Sequence, residues 1–408
     1  MDKLDTVIVG AGIGGIYLAE FLEQKNQRYC MVEASQRLGG RIHTHSVDGV
    51  SFELGAARIL SSQTRAMELI QRLSLELEEH VVSDASIYWK GNWHDSLNGL
   101  LSTFHYPDPL DLFHEMLAEA EIASLKEFEL HAPTYWDTTL TKDWLASKGV
   151  PFEFAKLYFL GDIDVNLSQI TLYESLFFYV ANLKEPEAKI YRLKDGMGQL
   201  IASLSSKIKA PLMGETVKNV TYQGNEVRII TTERTLKARN VVFTCSLNAL
   251  QRVQLPHEAR ENLDQWLRIG HYGKSLKGRI TLNKNPYPKQ YYMLSDDPIR
   301  MLRRSEFDWE FYLPSLNQSW SEEVLREKVE EMFGESTLVK LQIQNYVDAP
   351  FYGCYWNYAT GNFHRIFEAS QTLQLAPSIY CVGEHFSMNP NWIEGTLESV
   401  SNLINTHV

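Results

Sequence analysis

The segment VIVGAGIGG at residues 7–15 constrains the fold more than any other part of the chain. Its β-branched start is typical of a buried strand. Its glycines Gly10, Gly12 and Gly15 lead into apolar residues with helical spacing over residues 13–24. The segment therefore predicts a strand, a tight glycine turn and a helix.

A second apolar run, residues 29–32, follows the predicted helix and ends at Glu33. Strand, helix, strand and terminal acid are the parts of a dinucleotide-binding βαβ unit. Glycines let backbone amides approach a pyrophosphate, and the acid accepts hydrogen bonds from ribose hydroxyls. Gly10, Gly12, Gly15 and Glu33 are therefore predicted to bind a dinucleotide.

A second glycine loop follows Glu33. The run ASQRLGGRIHT, residues 34–44, contains Gly39 and Gly40 and then Arg41. Two glycines bring a second stretch of backbone close to the cofactor, and a fixed guanidinium can bind a phosphate through two parallel hydrogen bonds. Gly40 and Arg41 are therefore predicted to contact the cofactor; a surface turn with a solvated arginine is the alternative.

Three later segments resemble parts of one known family. They are DGMGQL at residues 195–200, TVKNV at residues 216–220 and CVGEHFSMNPNWIEGTLES at residues 381–399. Together with the two glycine loops, they resemble the motifs of the flavin-containing amine oxidase superfamily. The resemblance reaches both ends of the chain and implies that the cofactor is FAD rather than NAD.

The resemblance also implies individual cofactor contacts. Val217 would lie on a strand whose backbone meets the adenine. Gly383 and Glu384 would contact the ribityl chain or a phosphate, and Trp392 and Ile393, at the start of a helix aimed at the flavin, would complete the site. The cofactor site is therefore expected to draw on both ends of the chain.

The predicted fold class is α/β, an α+β arrangement of two domains. A Rossmann-like FAD-binding domain is expected from three separate segments, residues 1–60, 190–270 and 376–408. A substrate-binding domain with a mixed sheet and a helical insert is expected from residues 61–189 and 271–375.

Arg58, in the segment FELGAARI at residues 52–59, bears most on the substrate. By resemblance, amino acid oxidases of the superfamily carry arginine here, whereas monoamine and polyamine oxidases carry an uncharged residue. A carboxylate removed from water needs a cation and hydrogen bonds to replace its solvation, and a guanidinium offers the matching geometry. Arg58 is therefore predicted to bind the carboxylate of an L-amino acid; a salt-bridged or solvated arginine is the alternative.

Lys277 lies in the segment SLKGRITL, residues 275–282, where the superfamily has a lysine that hydrogen-bonds through water to flavin N5. The chain most resembles the bacterial L-tryptophan oxidases of violacein biosynthesis in four short segments, ELGAAR, SLKG, DPIR…EFY and NWIEGT. That resemblance implies that Arg58, Lys277 and Tyr312 recognise the substrate, and it favours an aromatic or large apolar side chain. A solvated Lys277 at the rim and a core Tyr312 are the open alternatives.

The segment FYGCYWNY, residues 351–358, resembles the monoamine oxidase motif whose tyrosine forms one wall of an aromatic cage before the flavin. Tyr355 and Trp392 are accordingly expected as opposite walls, which would guide an amine to the flavin and exclude water. Trp356 is predicted to contact the substrate. For Tyr355 and Trp356, packing in the core is the alternative.

Cys354 raises the question of a covalent flavin. In monoamine oxidases the cysteine of this motif is bonded to the cofactor, whereas the tryptophan oxidases hold FAD without such a bond. A buried, unreactive cysteine is the usual finding. Both forms of attachment stay open at this point.

Charge and composition narrow the partners and the compartment. A net charge of -12 and a pI near 5.5 lack the cationic surplus that nucleic-acid binding needs, so a small substrate is expected. Four cysteines without a CxxC pair fit reduced thiols and a cytoplasmic, bacterial location. The sequence has no metal-binding motif and no apolar stretch near the roughly 20 residues of a membrane span. The assembly stays open, with a homodimer as one alternative.

These features together predict a FAD-dependent L-amino acid oxidase. The α-amine would be oxidised to the imino acid by hydride transfer to flavin N5, and O2 would then be reduced to H2O2. A primary amine or polyamine oxidase and a FAD-binding protein without turnover stay open as alternatives. A flavin-dependent desaturase or isomerase, which consumes no oxygen, would not share the match at Lys277.

Overall fold

The computed structural model describes residues 4–80, 85–162, 170–183, 189–273, 275–295, 299–314, 321–346, 348 and 350–407. This part of the chain combines helices with two large sheets, which confirms the predicted fold class. None of the helices in these ranges is long and apolar enough to cross a membrane.

The first large sheet has eight strands and contains the predicted βαβ unit. Its strands are Leu4–Val9, Tyr29–Glu33, Leu212–Met213, Val217–Gln223, Glu226–Thr231, Thr235–Phe243, Gln374–Ala376 and Ile379–Cys381. Leu4–Val9 pairs in parallel with both Tyr29–Glu33 and Thr235–Phe243. Parallel strands are covered on both faces, which explains why their apolar residues are continuous rather than alternating.

The carboxyl ends of the parallel strands meet at one edge of this sheet, where ligands bind in folds of this kind. Gly10 follows the first strand and Glu33 ends the second. Thr244 and Gly383 follow two further parallel strands of the same sheet. The edge therefore gathers residues from the beginning, the middle and the end of the chain.

The helix Ile13–Gln24 follows Gly12 and packs against the helices Gly198–Ser205 and Ile393–His407. Gly15 permits its close approach to the first strand, because a side-chain carbon there would lie 2.0 Å from the Gly10 carbonyl oxygen. The third glycine of the motif is thus required for packing of the helix on the sheet.

The second large sheet has seven strands. In spatial order they are Leu338–Asn345, Ser275–Leu282, Asp308–Pro314, Arg300–Arg303, Tyr292–Ser295, Ser86–Trp89 and Asn92–His94. The helix Glu322–Phe333 packs against it through Leu325 and Val329. The helical spacing of apolar residues over 322–333 predicts this helix with the bounds that the structure shows. Its first turn is capped by Ser321, whose hydroxyl accepts from the Val324 amide at 3.2 Å.

Two strands of this sheet, Ser86–Trp89 and Asn92–His94, were not predicted, because they fall in a part of the chain that was expected to be mostly helical. Ser86–Trp89 pairs in parallel with Tyr292–Ser295, far along the chain. Its four residues alternate between partly buried and buried, too short a pattern to identify a strand without its partner. The division into two domains at the predicted boundaries stays a prediction.

The helical insert itself consists of short helices with polar caps. They are Leu97–Phe104, Pro109–Glu119, Leu125–His131, Thr141–Ser147, Phe152–Asp162 and Leu172–Phe178, with a 3-10 turn at Thr134–Asp137 and a π-helical turn at Tyr179–Leu183. The side chains that cap the first turns are Ser96, Asp108, Ser124 and Thr171. Phe113, Phe128, Trp136 and Phe154 fill its core.

The remaining elements are short. Three small sheets are formed by Thr44–Val47 with Val50–Glu53, by Ile59–Leu60, Ile190–Leu193 and Leu77–Glu79, and by Gly270–Gly273 with Tyr355–Tyr358. The other helical segments are Thr64–Arg72, Leu247–Leu250, His257–Ile269, Phe363–Arg365, Ile366–Ala369 and Glu384–Phe386. Arg58 immediately precedes the strand Ile59–Leu60, Tyr355 begins the strand Tyr355–Tyr358, and both reach the cavity described next.

Candidate functional site

One cavity of about 820 Å³ connects the carboxyl edge of the first sheet to the second sheet and the insert. The predicted site residues that line it are Gly10, Gly12, Glu33, Gly40, Arg41, Arg58, Val217, Lys277, Tyr312, Cys354, Tyr355, Gly383, Glu384, Trp392 and Ile393. Gly15 and Trp356 do not line it. The fold thus brings residues from distant parts of the sequence to one cavity, while the role of each stays a proposal.

The glycine turn leaves open space at the amino end of the first helix. Gly12 has ordinary extended dihedral angles, and a side-chain carbon built on it would meet nothing within 4 Å. The second loop lies directly against it, because the Gly39 amide donates to the Ala11 carbonyl at 2.8 Å. The cavity therefore receives a helix amino terminus, which favours a negatively charged ligand.

Glu33 is fixed at the end of its strand by two backbone amides. Its carboxylate accepts from Ala11 at 2.7 Å and from Ser35 at 2.8 Å. These bonds orient the carboxylate beside the glycine turn, where it lines the cavity. This is the placement that ribose recognition requires.

Arg41 joins the two ends of the chain at the cavity wall. Its Nη1 donates to Oε1 of Glu384 at 2.8 Å and to the Cys354 carbonyl at 2.7 Å. The other carboxylate oxygen of Glu384 accepts from the Asn391 amide at 3.1 Å. Glu384 thus holds the arginine and the loop before the last helix in one arrangement, with a positive guanidinium at the cavity wall.

These features fit a dinucleotide cofactor. An unfilled space faces Gly12, a carboxylate is oriented at Glu33, and a guanidinium is fixed at Arg41. Val217 and Gly383 line the same cavity. The donors, the acceptor and the free volume are therefore those that a diphosphate and a ribose need.

The opposite part of the cavity carries two cationic residues. Arg58 is only 7% exposed and lines the wall. Lys277 donates from Nζ to the Gly55 carbonyl, three residues before Arg58. The Lys277 ammonium lies 5.2 Å from the centre of the Tyr312 ring, and the Arg300 guanidinium carbon lies 4.7 Å from it. Strand pairing brings these three side chains together, because Tyr312 is opposite Lys277 on one neighbouring strand and opposite Arg300 on the other.

Aromatic rings line the cavity as predicted for Tyr355 and Trp392. The ring of Phe178 stacks on the ring of Trp392, with 6.2 Å between ring centres and 22° between planes. Phe178 belongs to the insert and was not predicted as a site residue. The insert therefore supplies part of the aromatic wall.

The predicted substrate contact of Trp356 is corrected by the structure. Tyr355–Tyr358 is a strand, so consecutive side chains point to opposite faces. Tyr355 faces the cavity, whereas Trp356 is 1% exposed and packs on Tyr272, with 5.3 Å between ring centres. Strand alternation thus makes Trp356 a core residue.

Sequence reasoning missed all the residues of the insert that line the cavity, among them Glu174, Phe178 and Asn182. These three are spaced four apart along Leu172–Phe178 and the π-helical turn Tyr179–Leu183, and all three reach the cavity. Asn182 connects this helix to the Arg58 region, since its Oδ1 accepts from the Ser62 hydroxyl at 3.1 Å. Two polar residues at this spacing within LYESLFFYVANL were the only available signal.

Glu53 lies behind Lys277 as a buried carboxyl group. It accepts from the Met197 amide at 2.7 Å, and its own amide donates to Glu310 at 2.7 Å. Burial, and after it the charge of Glu310, raises the pKa of Glu53 to about 7, although Lys277 opposes the rise. The folded protein therefore binds a proton here more tightly than the unfolded chain does.

This pKa gives a stability prediction. Between Glu53's usual pKa of 4.5 and its folded pKa of about 7, the folded state holds more protons, so the free energy of unfolding falls as pH rises. The loss reaches about 3 kcal/mol and is complete above the folded value. Urea unfolding at pH 5 and at pH 8 measures this loss. Between the two pH values, the free energy of unfolding of Glu53→Gln should fall by about 3 kcal/mol less than that of the unchanged chain.

The matched control is Glu68→Gln, which changes an exposed carboxyl of the helix Thr64–Arg72. It should keep the pH dependence of the unchanged chain. The same pH dependence in Glu53→Gln as in Glu68→Gln would show that the Glu53 carboxyl is already ionised at low pH.

Comparison with known proteins is consistent across sequence and fold. A family model described as flavin containing amine oxidoreductase matches residues 13–399. The chain is 24% identical over 304 residues to a pseudooxynicotine dehydrogenase of Pseudomonas sp, and 26% identical over 308 residues to an L-amino-acid oxidase of Echis ocellatus. Each alignment covers 69% of this chain, which spans 59% of the length of each relative.

A solved structure of a putrescine oxidase double mutant has the same fold. Its TM-score is 0.80 at 17% identity, and the superposition covers 99% of this chain and 100% of that chain. The family match extends over nearly the whole sequence, which confirms the resemblance and the predicted cofactor, FAD. The chain belongs to the flavin-containing amine oxidoreductase family.

Proposed function

We propose that this protein is a FAD-dependent L-amino acid oxidase that converts the α-amine of its substrate to the imine and passes the electrons to O2, giving H2O2. The family supports oxidation of an amine. The amino acid assignment is the finer part of the proposal, and it depends on the substrate-side residues of the cavity.

The observation that carries the proposal is the position of Arg58. Arg58 as a whole residue is only 7% exposed, yet it lines the same cavity as Gly12 and Arg41, the proposed cofactor residues. A buried guanidinium at a cavity wall is matched by a carboxylate, which it binds through charge-assisted hydrogen bonds. An amine without a carboxyl group has no group that this guanidinium could bind in this way.

The cofactor half of the cavity is proposed to hold FAD through groups on both glycine loops. Gly12 and Gly40 would lie against the diphosphate, Glu33 would bind the adenosine ribose, and Arg41 would contact a phosphate. Two-electron oxidation of an amine is the chemistry that FAD supplies when bound. The chain's own tasks are to bind the substrate, orient it and exclude water.

The aromatic residues serve these tasks in the proposal. Tyr355 and Trp392 would enclose the amine between apolar faces, and Phe178, which stacks on Trp392, extends the aromatic wall. A poorly solvated cavity lowers the pKa of an amine, so the neutral form that can be oxidised becomes more populated. Lys277 and Tyr312 would position the substrate beside Arg58, because all three line the same cavity and Lys277 donates to the Gly55 carbonyl, three residues before Arg58.

Oxidation of an amine that has no carboxylate is the second candidate. It is favoured by the likeness to a pseudooxynicotine dehydrogenase and to the putrescine oxidase structure. It is also compatible with an acidic residue at the cavity wall, Glu174. We favour an amino acid over such an amine because of Arg58, since a buried cation repels the ammonium form of an amine.

An oxygen electrode tests the proposal. The holoprotein is supplied with each of the twenty common L-amino acids and with the amine that lacks the carboxyl group of each. We expect oxygen uptake and peroxide with one group of L-amino acids and little with the corresponding amines. Faster uptake with the amines would replace the proposed function by the second candidate, and no uptake with any compound would favour a FAD-binding protein without turnover.

FAD is expected to be held without a covalent bond to Cys354. The thiol is tied to Ser275, since its Sγ accepts from the Ser275 amide at 3.3 Å and donates to the Ser275 carbonyl at 3.4 Å. Burial raises the pKa of Cys354 and thus disfavours the nucleophilic thiolate. Acid precipitation of the holoprotein should therefore release all of the flavin into the supernatant.

The control is Cys354→Ala, which should bind and release flavin like the unchanged chain. Yellow colour that stays with the precipitated unchanged protein, and is lost in Cys354→Ala, would mean that the thiol bonds to the cofactor. Mass spectrometry of the intact denatured chain gives the same distinction.

A further inference from the structure

Glu174 is a carboxyl group at the cavity wall that the proposed mechanism does not use. It lies in the first turn of the helix Leu172–Phe178, where its amide donates to the Thr171 hydroxyl at 3.2 Å. Among the residues that the structure describes, its carboxylate has neither an ion pair nor a side-chain hydrogen bond. A carboxylate without a counter-charge in a cavity is costly unless a ligand supplies one.

The surroundings of Glu174 make its charge more costly still. Burial, and after it the charge of Asp137, raises the pKa of Glu174 to about 8. Asp137 is itself buried and accepts hydrogen bonds from the Phe363 amide at 3.1 Å and from the His364 ring at 2.7 Å. The charge of Asp137 therefore adds to the cost of ionising Glu174, and a bound cation would stabilise the ionised carboxylate.

The helix sets the distance between Glu174 and the proposed carboxylate site. Glu174 and Asn182 are eight residues apart along Leu172–Phe178 and the π-helical turn after it, so they are separated by up to about 12 Å along the helix axis. Asn182 bonds to Ser62, which follows Arg58 by four residues, whereas Glu174 is at the far end. The cavity thus has a guanidinium near one end, a carboxylate at the other and the aromatic rings of Phe178 and Trp392 between them.

We propose that Glu174 binds a cationic group on the side chain of the substrate, so that the preferred substrates are L-amino acids with an ammonium or guanidinium side chain. This inference rests on the proposed function and replaces the sequence-based expectation of an aromatic or large apolar side chain. The methylene groups of such a substrate would pack along the aromatic wall. Its two ends would meet opposite charges at Arg58 and Glu174.

Four compounds separate the two charges of the substrate. L-Lysine has both, L-norleucine lacks the side-chain ammonium, cadaverine lacks the carboxylate and pentylamine lacks both. The ratio of kcat/KM for lysine to that for norleucine reports the Glu174 contact. In Glu174→Gln this ratio is expected to fall by about 100-fold, as when one partner of a buried charge pair is removed.

Three further measurements make the test specific. Glu174→Asp, which keeps the charge, should retain more of the ratio than Glu174→Gln, and flavin content and the unfolding midpoint show that each variant is folded. Glu115→Gln, a change of an exposed carboxyl on Pro109–Glu119, should leave the ratio as it is. The pair L-ornithine and L-norvaline extends the comparison to a shorter side chain.

The outcomes distinguish this inference from the function on which it rests. An equal loss for lysine and norleucine in Glu174→Gln overturns the inference, because Glu174 would then act on a part common to both. A ratio that falls for cadaverine over pentylamine, with lysine poorly oxidised, keeps the cation at Glu174 but overturns the amino acid assignment. No preference for lysine over norleucine in the unchanged chain also overturns the inference.

Discussion

Replacing Arg58 with alanine is expected to lower kcat/KM for the preferred L-amino acid by about 1000-fold relative to the amine that lacks its carboxyl group. Arg58 is buried at the cavity wall, so its removal would leave the substrate carboxylate away from water without a counter-charge. The amine has no carboxylate to lose. The loss should appear mainly in KM for the amino acid, since the guanidinium binds a part of the substrate that does not react.

The amine serves as the internal control for this experiment, because damage to the fold would slow both substrates. A second control is Arg28→Ala, which removes a half-exposed surface arginine whose ion pair with Asp5 contributes little. Steady-state oxygen uptake measures both kinetic constants. An equal fall for amino acid and amine would place Arg58 in the structure of the cavity rather than against a carboxylate.

Replacing Gly12 with valine is expected to give a folded protein that has lost FAD. The first side-chain carbon at this position would meet no protein atom within 4 Å, and Gly12 lines the space proposed for the diphosphate. The backbone of Gly12 is extended, so valine introduces no strain, and its poorer helix capping costs about 1 kcal/mol. The purified variant should therefore be colourless but cooperatively folded.

Thermal unfolding with and without added FAD measures this effect. The apoprotein of the unchanged chain should be stabilised by FAD, because a ligand that binds only the folded state raises its stability. Gly12→Val should unfold near the apoprotein and should not respond to FAD. Gly15→Val should instead fail to fold, since its first side-chain carbon would overlap the Gly10 carbonyl. A yellow Gly12→Val protein would contradict the proposed path of the diphosphate.

Local patterns predicted much of the fold because they require no knowledge of distant residues. Ile13–Gln24 and Glu322–Phe333 have the predicted bounds, since apolar spacing and end signals lie within each segment. The glycine turn was predictable for the same reason. Ser86–Trp89 was not, because it is a strand only through pairing with Tyr292–Ser295.

In the candidate site too, local motifs predicted some residues, whereas others depended on the fold. Motifs identified Glu33, Arg41 and Arg58, which all line one cavity. They did not identify Glu174, because a single acidic residue in a helical segment does not indicate a functional site until the fold shows which face of the helix lines the cavity. Trp356 was assigned wrongly for the converse reason, since a motif names neighbouring residues together while a strand sends them to opposite faces.

Anaerobic titration of the yellow holoprotein tests the central claim most directly, because it follows the visible absorbance of the flavin without oxygen as a second reactant. L-Lysine, its D-enantiomer and cadaverine are added separately in stoichiometric amounts. If one cavity holds FAD and orients an amino acid by its carboxylate, L-lysine should bleach the flavin while D-lysine and cadaverine leave it oxidised. Rapid bleaching by cadaverine, with none by L-lysine or any other L-amino acid, would contradict the account.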